Sequence, residues 1–268
     1  MDDFLKHYVF LRIAKINKKI FIPNFLNELL ALPIRLVILI VVWSSVYKVL
    51  GSDEIRGLSL GQMISYYFIF EAISHMSVYY RRLPYTIWNE ITNGEVSKFI
   101  CRPISYITYQ FFYGFGYTYY SSIICIPMIL LASFIYLIEL GNLNSIIFFV
   151  ISMLLGIVIT FYIYILIGFL TFWTESIFGY RDLILHIGGI LSGSVIPLLF
   201  MPEWLQNISM LLPFRYMVYE PITLLINNFT YQDMLGVLTR QTIYIILLSL
   251  ATQMIWNKGV KRYEAQGG

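Results

Sequence analysis

Apolar residues run in long blocks separated by short polar stretches. Six blocks approach or exceed the roughly 20 residues that a helix needs to cross a bilayer: Leu29 to Leu50, Leu60 to Tyr80, Ser105 to Tyr136, Ile146 to Trp173, Leu183 to Phe200 and Val237 to Trp256. The pattern predicts an all-α integral membrane protein with six transmembrane helices. The blocks use up most of the chain, so residues 1–268 read as a single transmembrane domain with no sizeable soluble part.

Three stretches between or before the blocks follow other patterns. Residues 3–25 set Phe4, Leu5, Tyr8 and Leu11 beside Arg12, Lys15 and Lys19 at helical intervals, which predicts an amphipathic helix in the headgroup region, ended by Pro23 and Asn24. An ordinary basic flank that only sets topology is the alternative. Residues 84–101 place Ile87, Trp88 and Ile91 on one helical face and Asn89 and Glu90 on another. This predicts a short helix stopped at Asn93 and Gly94, with Pro103 opening the third span. Such a helix either docks a partner or anchors at the membrane surface.

The third stretch, Gly188 to Pro221, is apolar enough for a bilayer yet carries Pro197, Pro202, Pro213 and Pro221. Proline removes a backbone donor and clashes with the preceding turn, so a continuous helix is excluded. Irregular backbone at membrane depth survives only where protein or a water-lined cavity satisfies it. The expectation is a re-entrant external segment over residues 197–221, a feature of transport proteins more than of membrane anchors.

Composition supports the membrane reading: 59% of residues are hydrophobic, only 12% are charged, and mean hydropathy is +0.73. The net charge of +3 says less than its distribution. Lys6, Arg12, Lys15, Lys18 and Lys19 precede the first span; Arg81, Arg82, Lys98 and Arg102 follow the second; Arg181 follows the fourth; Lys258, Lys261 and Arg262 follow the sixth. The positive-inside rule then predicts cytoplasmic termini, with Lys48, Arg56, Arg215 and Arg240 outside. No clustered basic face points to nucleic acid. The first residues lack the apolar core and cleavage site of a signal peptide. Cys101 and Cys125 are expected to be free thiols, and no metal-ligand spacing occurs.

The chemistry-bearing residues are few. Glu71 and His75 are four apart in the second span and share a helix face. An intramembrane ionisable pair is a candidate proton site, but a relay needs more than one isolated pair, which favours pairing within the helix or with a neighbour. Glu175, Arg181 and Asp182 are expected to be solvated at a cytoplasmic turn, and His186 to be packed and hydrogen-bonded. Gly156 and Gly168 are expected at close helix contacts, and Gly114, Gly116 and Pro127 at flexible packing and a kink. The chain has no G-x-x-x-x-G-K-[ST] loop, so any ATP-driven function must borrow its motor. Nor does it cluster the acid, base, nucleophile or metal ligands of a membrane enzyme.

Three segments together resemble the permease subunits of class-2 ABC transporters, in the small six-span bacterial branch with a separate ATPase: ITNGEVSKFICRPIS, LSGSVIPLLFMPEWLQNISMLLPF and WNKGVKRYEAQGG. The resemblance covers nearly the whole chain, and Leu191 to Phe214 is its most specific part. It implies an exporter in the bacterial cytoplasmic membrane, moving an amphipathic cargo such as a lipid, peptide or antibiotic. The stretch around Ile87, Trp88, Asn89, Glu90, Gly94 and Glu95 would be the coupling helix that docks on the ATPase. Pro197, Pro202, Trp204, Pro213 and Phe214 would form the re-entrant exit region. The implied partners are two ABC ATPase subunits, which bind ATP and Mg, and a second permease of the same or a different chain. Relatives often carry an aromatic-basic pair before the first span, where this chain reads IFIPNF. A carrier without an ATPase, using Glu71 and His75, is the alternative from a different class.

Overall fold

The computed structural model describes residues 18–100, 105–135, 143–227 and 229–265. It is 83% helical, with almost no sheet. Helix α1, Lys18–Leu50, leads through a two-residue hairpin, β1 Glu54–Ile55 and β2 Leu58–Ser59, into α2, Leu60–Met76. There follow α3, Val78–Thr92; the single turn α4, Ser97–Ile100; α5, Tyr106–Ile135; and α6, Leu143–Phe169, extended by a 3-10 turn, Leu170–Phe172. The remainder comprises α7, Phe178–Leu191; α8, Glu203–Met210; α9, Tyr219–Ile226; and α10, Tyr231–Ala265, with 3-10 turns at Leu198–Phe200 and Pro213–Met217.

Local chemistry explains several boundaries. The hairpin turns on Arg56 and Gly57, both at positive φ, as a tight two-residue hairpin turn requires. Ser59 opens α2 with a capping box, its side chain accepting from the Gln62 amide while Gln62 reaches back to the Ser59 amide. Gly94, at φ +77°, ends the α3 region as predicted.

Around α6 the bundle closes. This helix packs along α10 and α3 and against α9, while α2 lies along α5. The shared core joins Met63, Ile69, Tyr80, Leu83, Ile87, Tyr106, Phe161 and Phe169. Outside it, apolar side chains stand exposed in rows: Ile34, Val37, Ile38 and Val41 on α1; Leu183, Ile187 and Ile190 on α7; Ile243, Ile246, Leu247, Leu250 and Met254 on α10. Exposed apolar area on this scale is incompatible with water and suits hydrocarbon. Among the described residues, three helical stretches are long and apolar enough to cross a membrane: Pro33–Leu50, Asn144–Phe172 and Tyr231–Tyr263.

The structure differs from expectation in three elements. The second block ends as a helix at Met76, and α3 starts at Val78, so Tyr79 and Tyr80 belong to α3 rather than to the second span. Helix α1 runs unbroken through Pro23, Asn24 and Pro33, so the predicted stop before the first span is not made; residues 3–17 of the expected interfacial helix lie outside the described residues, as do Cys101, Arg102 and Pro103. The fifth block does not form one helix from Leu183 to Phe200. Helix α7 starts earlier, at Phe178, and stops at Leu191 after 14 residues, about 21 Å of rise against a hydrocarbon core of about 30 Å. The left-handed Gly193, at φ +74°, and Pro197 just beyond it end the helix there.

Candidate functional site

Helix α3 leaves the bundle core with one face buried and the other exposed. Ile87 and Ile91 are buried, whereas Asn89, Thr92, Asn93, Glu95 and Lys98 are exposed and Trp88 and Glu90 are partly so. Ile87 therefore belongs to the packed face and is withdrawn from the expected partner contacts. Its side chain lies against Gly168 on α6, where a Cβ would come within 2.6 Å of Ile87 Cδ1.

Glu90 points into the bundle rather than away from it. The Tyr106 hydroxyl donates to Glu90 Oε2, as does Gln110 Nε2 at 3.0 Å, and Tyr79 donates to Gln110 Oε1 at 2.9 Å. Tyr106 in turn stacks on Trp256 of α10, with ring centroids 4.9 Å apart and planes 4° from parallel. Burial pushes the Glu90 carboxyl above its ordinary range, against the pull of its Tyr106 and Gln110 donors. The carboxylate thus ties α3 to α5, and through Tyr106 to α10.

Trp88 makes a second tether. Its indole N–H donates to the Glu175 carbonyl at 2.9 Å, and its ring meets Phe178 at 5.2 Å. Arg181, expected to be solvated, instead lies over the Tyr85 ring at 4.7 Å and pairs with Asp182 at 2.7 Å, drawn to the ring face by the aromatic quadrupole. His186 keeps its hydrogen bond, Nδ1 donating to the Asp182 carbonyl at 2.6 Å, but is exposed rather than packed. In consequence, Trp88, Tyr85 and Glu90 connect α3 to the α6–α7 turn, to α7 and to α5.

At the opposite end, the four prolines each stand at or near the start of a new short element. Pro197 precedes the Leu198–Phe200 turn, Pro202 caps α8, Pro213 begins the next 3-10 turn, and Pro221 lies in the first turn of α9. Tyrosines on α2 hold the first bend: Tyr66 donates to the Gly193 carbonyl at 2.8 Å and Tyr67 to the Val195 carbonyl at 3.0 Å. Arg56 donates to the Leu199 carbonyl at 2.5 Å. Gln241, buried on α10, donates to both the Ser152 and Tyr216 carbonyls at 2.9 Å. Apart from Ser152, which lies within α6, the carbonyls they meet belong to the broken segment, which leaves them open. Gly156 packs against the same segment, its absent Cβ 2.8 Å from the Met217 carbonyl oxygen. Trp204, Ile208 and Leu211 form an exposed apolar stripe along α8, and Phe214 packs on Gly188.

Glu71 and His75 come together with a residue that sequence reasoning passed over. Arg35 Nη2 on α1 lies 3.6 Å from Glu71 Oε2 and 3.4 Å from His75 Nε2. The acidic group therefore has a cationic partner on a neighbouring helix, which fits the structural alternative better than a proton relay. Arg35 was visible as a lone cation inside the first apolar block, but no local spacing links it to residues 36 and 40 positions away. Tyr106, Gln110 and Gln241 were hidden for the same reason.

Compared with known protein families, residues 32–267 match the one described as ABC-2 family transporter protein. No curated protein matches the chain.

Proposed function

The chain belongs to the ABC-2 transporter family, and from that premise we propose that it is the six-span permease subunit of an ATP-driven exporter whose ATPase is a separate polypeptide. Family membership makes it a membrane component of an ABC transporter and implies an ABC ATPase partner. The observation carrying the fuller reading is α3, a surface helix whose buried face is pinned to three elements while Asn89, Thr92, Asn93 and Glu95 face outward. That is the construction a lever needs: a free rim for the partner and rigid connections to the parts that move.

In this reading α3 and the turn at Gly94 form the coupling helix, residues 3–25 the interfacial helix, and residues 197–221 the re-entrant exit region. The termini are cytoplasmic, in the bacterial cytoplasmic membrane. Two ATPase copies bind ATP and Mg, and a second permease, identical or different, completes a passage along the first, second and fifth spans for an amphipathic lipid, peptide or antibiotic-like cargo. ATP closure of the ATPases shifts the permease only through contacts that favour one conformation over the other. The α3 rim is where those contacts would be made.

The decisive test is affinity purification of the detergent-solubilised protein from its native membrane, with mass spectrometry of co-purifying chains. Recovery of an ABC ATPase supports the assignment. Reproducible absence of any ATPase would transfer the function to a carrier acting alone.

A further inference from the structure

A polar cavity of about 300 Å³ lies between α9 and the first turns of α10, beside the proline-rich segment. Asp233, Gly236 and Arg240 line it from one face of α10, at the three- and four-residue spacing that keeps side chains in register on a helix. Gly236 leaves the groove open, since a Cβ there would meet nothing within 4 Å. Arg215 and Glu220 face them from the other wall, and Asn227 stands at the end of α9.

The geometry of Arg215 is unusual for a structural ion pair. Its Nε donates to Glu220 Oε1 at 2.5 Å, and its guanidinium lies 5.0 Å from the Tyr219 ring centroid. Nη1, by contrast, is buried with no hydrogen-bond partner among the described residues. The guanidinium is thereby fixed in the cavity wall through one edge and one face, which limits its motion and leaves its charge beside the opening. Arg240 brings a second cation to the same cavity, and it is exposed.

Two carboxylates balance the two arginines, so the lining carries no net charge and a bare anion is not its best complement. Asp233, through Oδ2, accepts from the Thr230 hydroxyl at 2.6 Å, which fixes it at the start of α10. It lies two helical turns, about 10 Å along the axis, from Arg240. That distance leaves room for a small group bearing both charges, with the long arginine side chain closing the gap. The cavity also adjoins the polar stretch around Asn227 and Gln232, which the six-span reading would put at the outer end of the last span, beside the headgroups.

We infer that this cavity binds the phosphate-and-ammonium end of a zwitterionic amphiphile, the phosphate at Arg215 and Arg240 and the ammonium at Asp233. The same chemistry is presented by a phosphoethanolamine lipid headgroup and by the free, chainless zwitterion. The inference depends on neither the ATPase nor the direction of transport.

Native mass spectrometry of the purified full chain in detergent tests it, with dihexanoyl phosphatidylethanolamine, dihexanoyl phosphatidylglycerol and free phosphoethanolamine as probes. The ethanolamine lipid is expected to bind about tenfold more tightly than the glycerol lipid, a difference of about 1.4 kcal/mol. Arg240→Gln should remove most binding of both lipids. Asp233→Asn, which keeps an acceptor for Thr230, should erase the preference and bring the two lipids level. Both side chains are exposed, so size-exclusion profiles should stay unchanged. Binding that requires the acyl chains assigns the site to lipid, and equal binding of free phosphoethanolamine assigns it to the soluble zwitterion. Equal affinity for both lipids in the unaltered protein, or no change in either variant, overturns the inference.

Discussion

Gly168 of α6 receives the side chain of Ile87 from α3: a Cβ added to the glycine would lie 2.6 Å from Ile87 Cδ1 and 2.9 Å from its Cβ. The second of these atoms sits at the branch point and cannot swing away. The contact seats the surface helix directly on the central helix of the bundle, and it makes α3 sensitive to a single methyl group.

Gly168→Ala should therefore destabilise the fold by about 1–3 kcal/mol through overpacking. Thermal unfolding of the detergent-solubilised protein would show it as a lowered Tm. Ile87→Ala in the same chain should recover part of the loss, because Cδ1 and Cγ1 are removed while Cβ remains. Unchanged Tm in the single variant would mean that α3 is not seated as described.

At Glu90 the prediction concerns pH. Burial raises the carboxyl above its ordinary value, so the folded state favours the protonated form more than the unfolded state does. The associated stability is fully present below the ordinary carboxylate pKa and is lost as pH rises through the higher folded value. Unfolding of the unaltered protein, followed upward in pH from the ordinary glutamate range, should show this decline. Glu90→Gln keeps an acceptor for Tyr106 and Gln110 and should flatten the profile. Glu90→Ala leaves the Tyr106 hydroxyl without its acceptor, while Gln110 Nε2 keeps its bond to Tyr106 Oη, at about 1–3 kcal/mol for a buried unsatisfied group.

Trp88 offers a test of transmission. Trp88→Phe loses the hydrogen bond to Glu175 but retains a ring against Phe178, whereas Trp88→Ala loses both. In a reconstituted complex with its ATPase, the alanine variant should insert normally yet hydrolyse ATP without matching transport, and the phenylalanine variant should fall between. Full coupling in Trp88→Ala would remove this residue from the lever.

Glu203 and Asn207 on α8 are both exposed. In a background lacking Cys101 and Cys125, cysteines at these positions should react with a membrane-impermeant thiol reagent added to intact cells. Reaction only after the inner face is opened would invert the proposed orientation.

How far the sequence was readable follows from the range of each interaction. The block of Ile146 to Trp173 closely predicted α6 with its 3-10 extension, because continuous apolar patterning is a local property. Gly94 announced the stop after α3 because only a residue tolerant of positive φ ends a helix that way. The fifth block was less legible. Its hydropathy alone reads as a span, and the bend at Gly193 is stabilised by Tyr66 and Tyr67 from another helix.

Sequence by itself determined that this chain is helical and membrane-embedded, that its proline-rich segment is broken, and that the stretch at Ile87 to Ile91 is two-faced. Each follows from composition or from residues within a turn or two of one another. Only the tertiary structure decided that Glu90 faces inward to Tyr106, that Arg35 answers Glu71, and that Arg215 and Arg240 share a cavity. Those relationships join residues brought together by helix packing, and ion pairs and hydrogen bonds depend on distances and burial that the linear order does not contain.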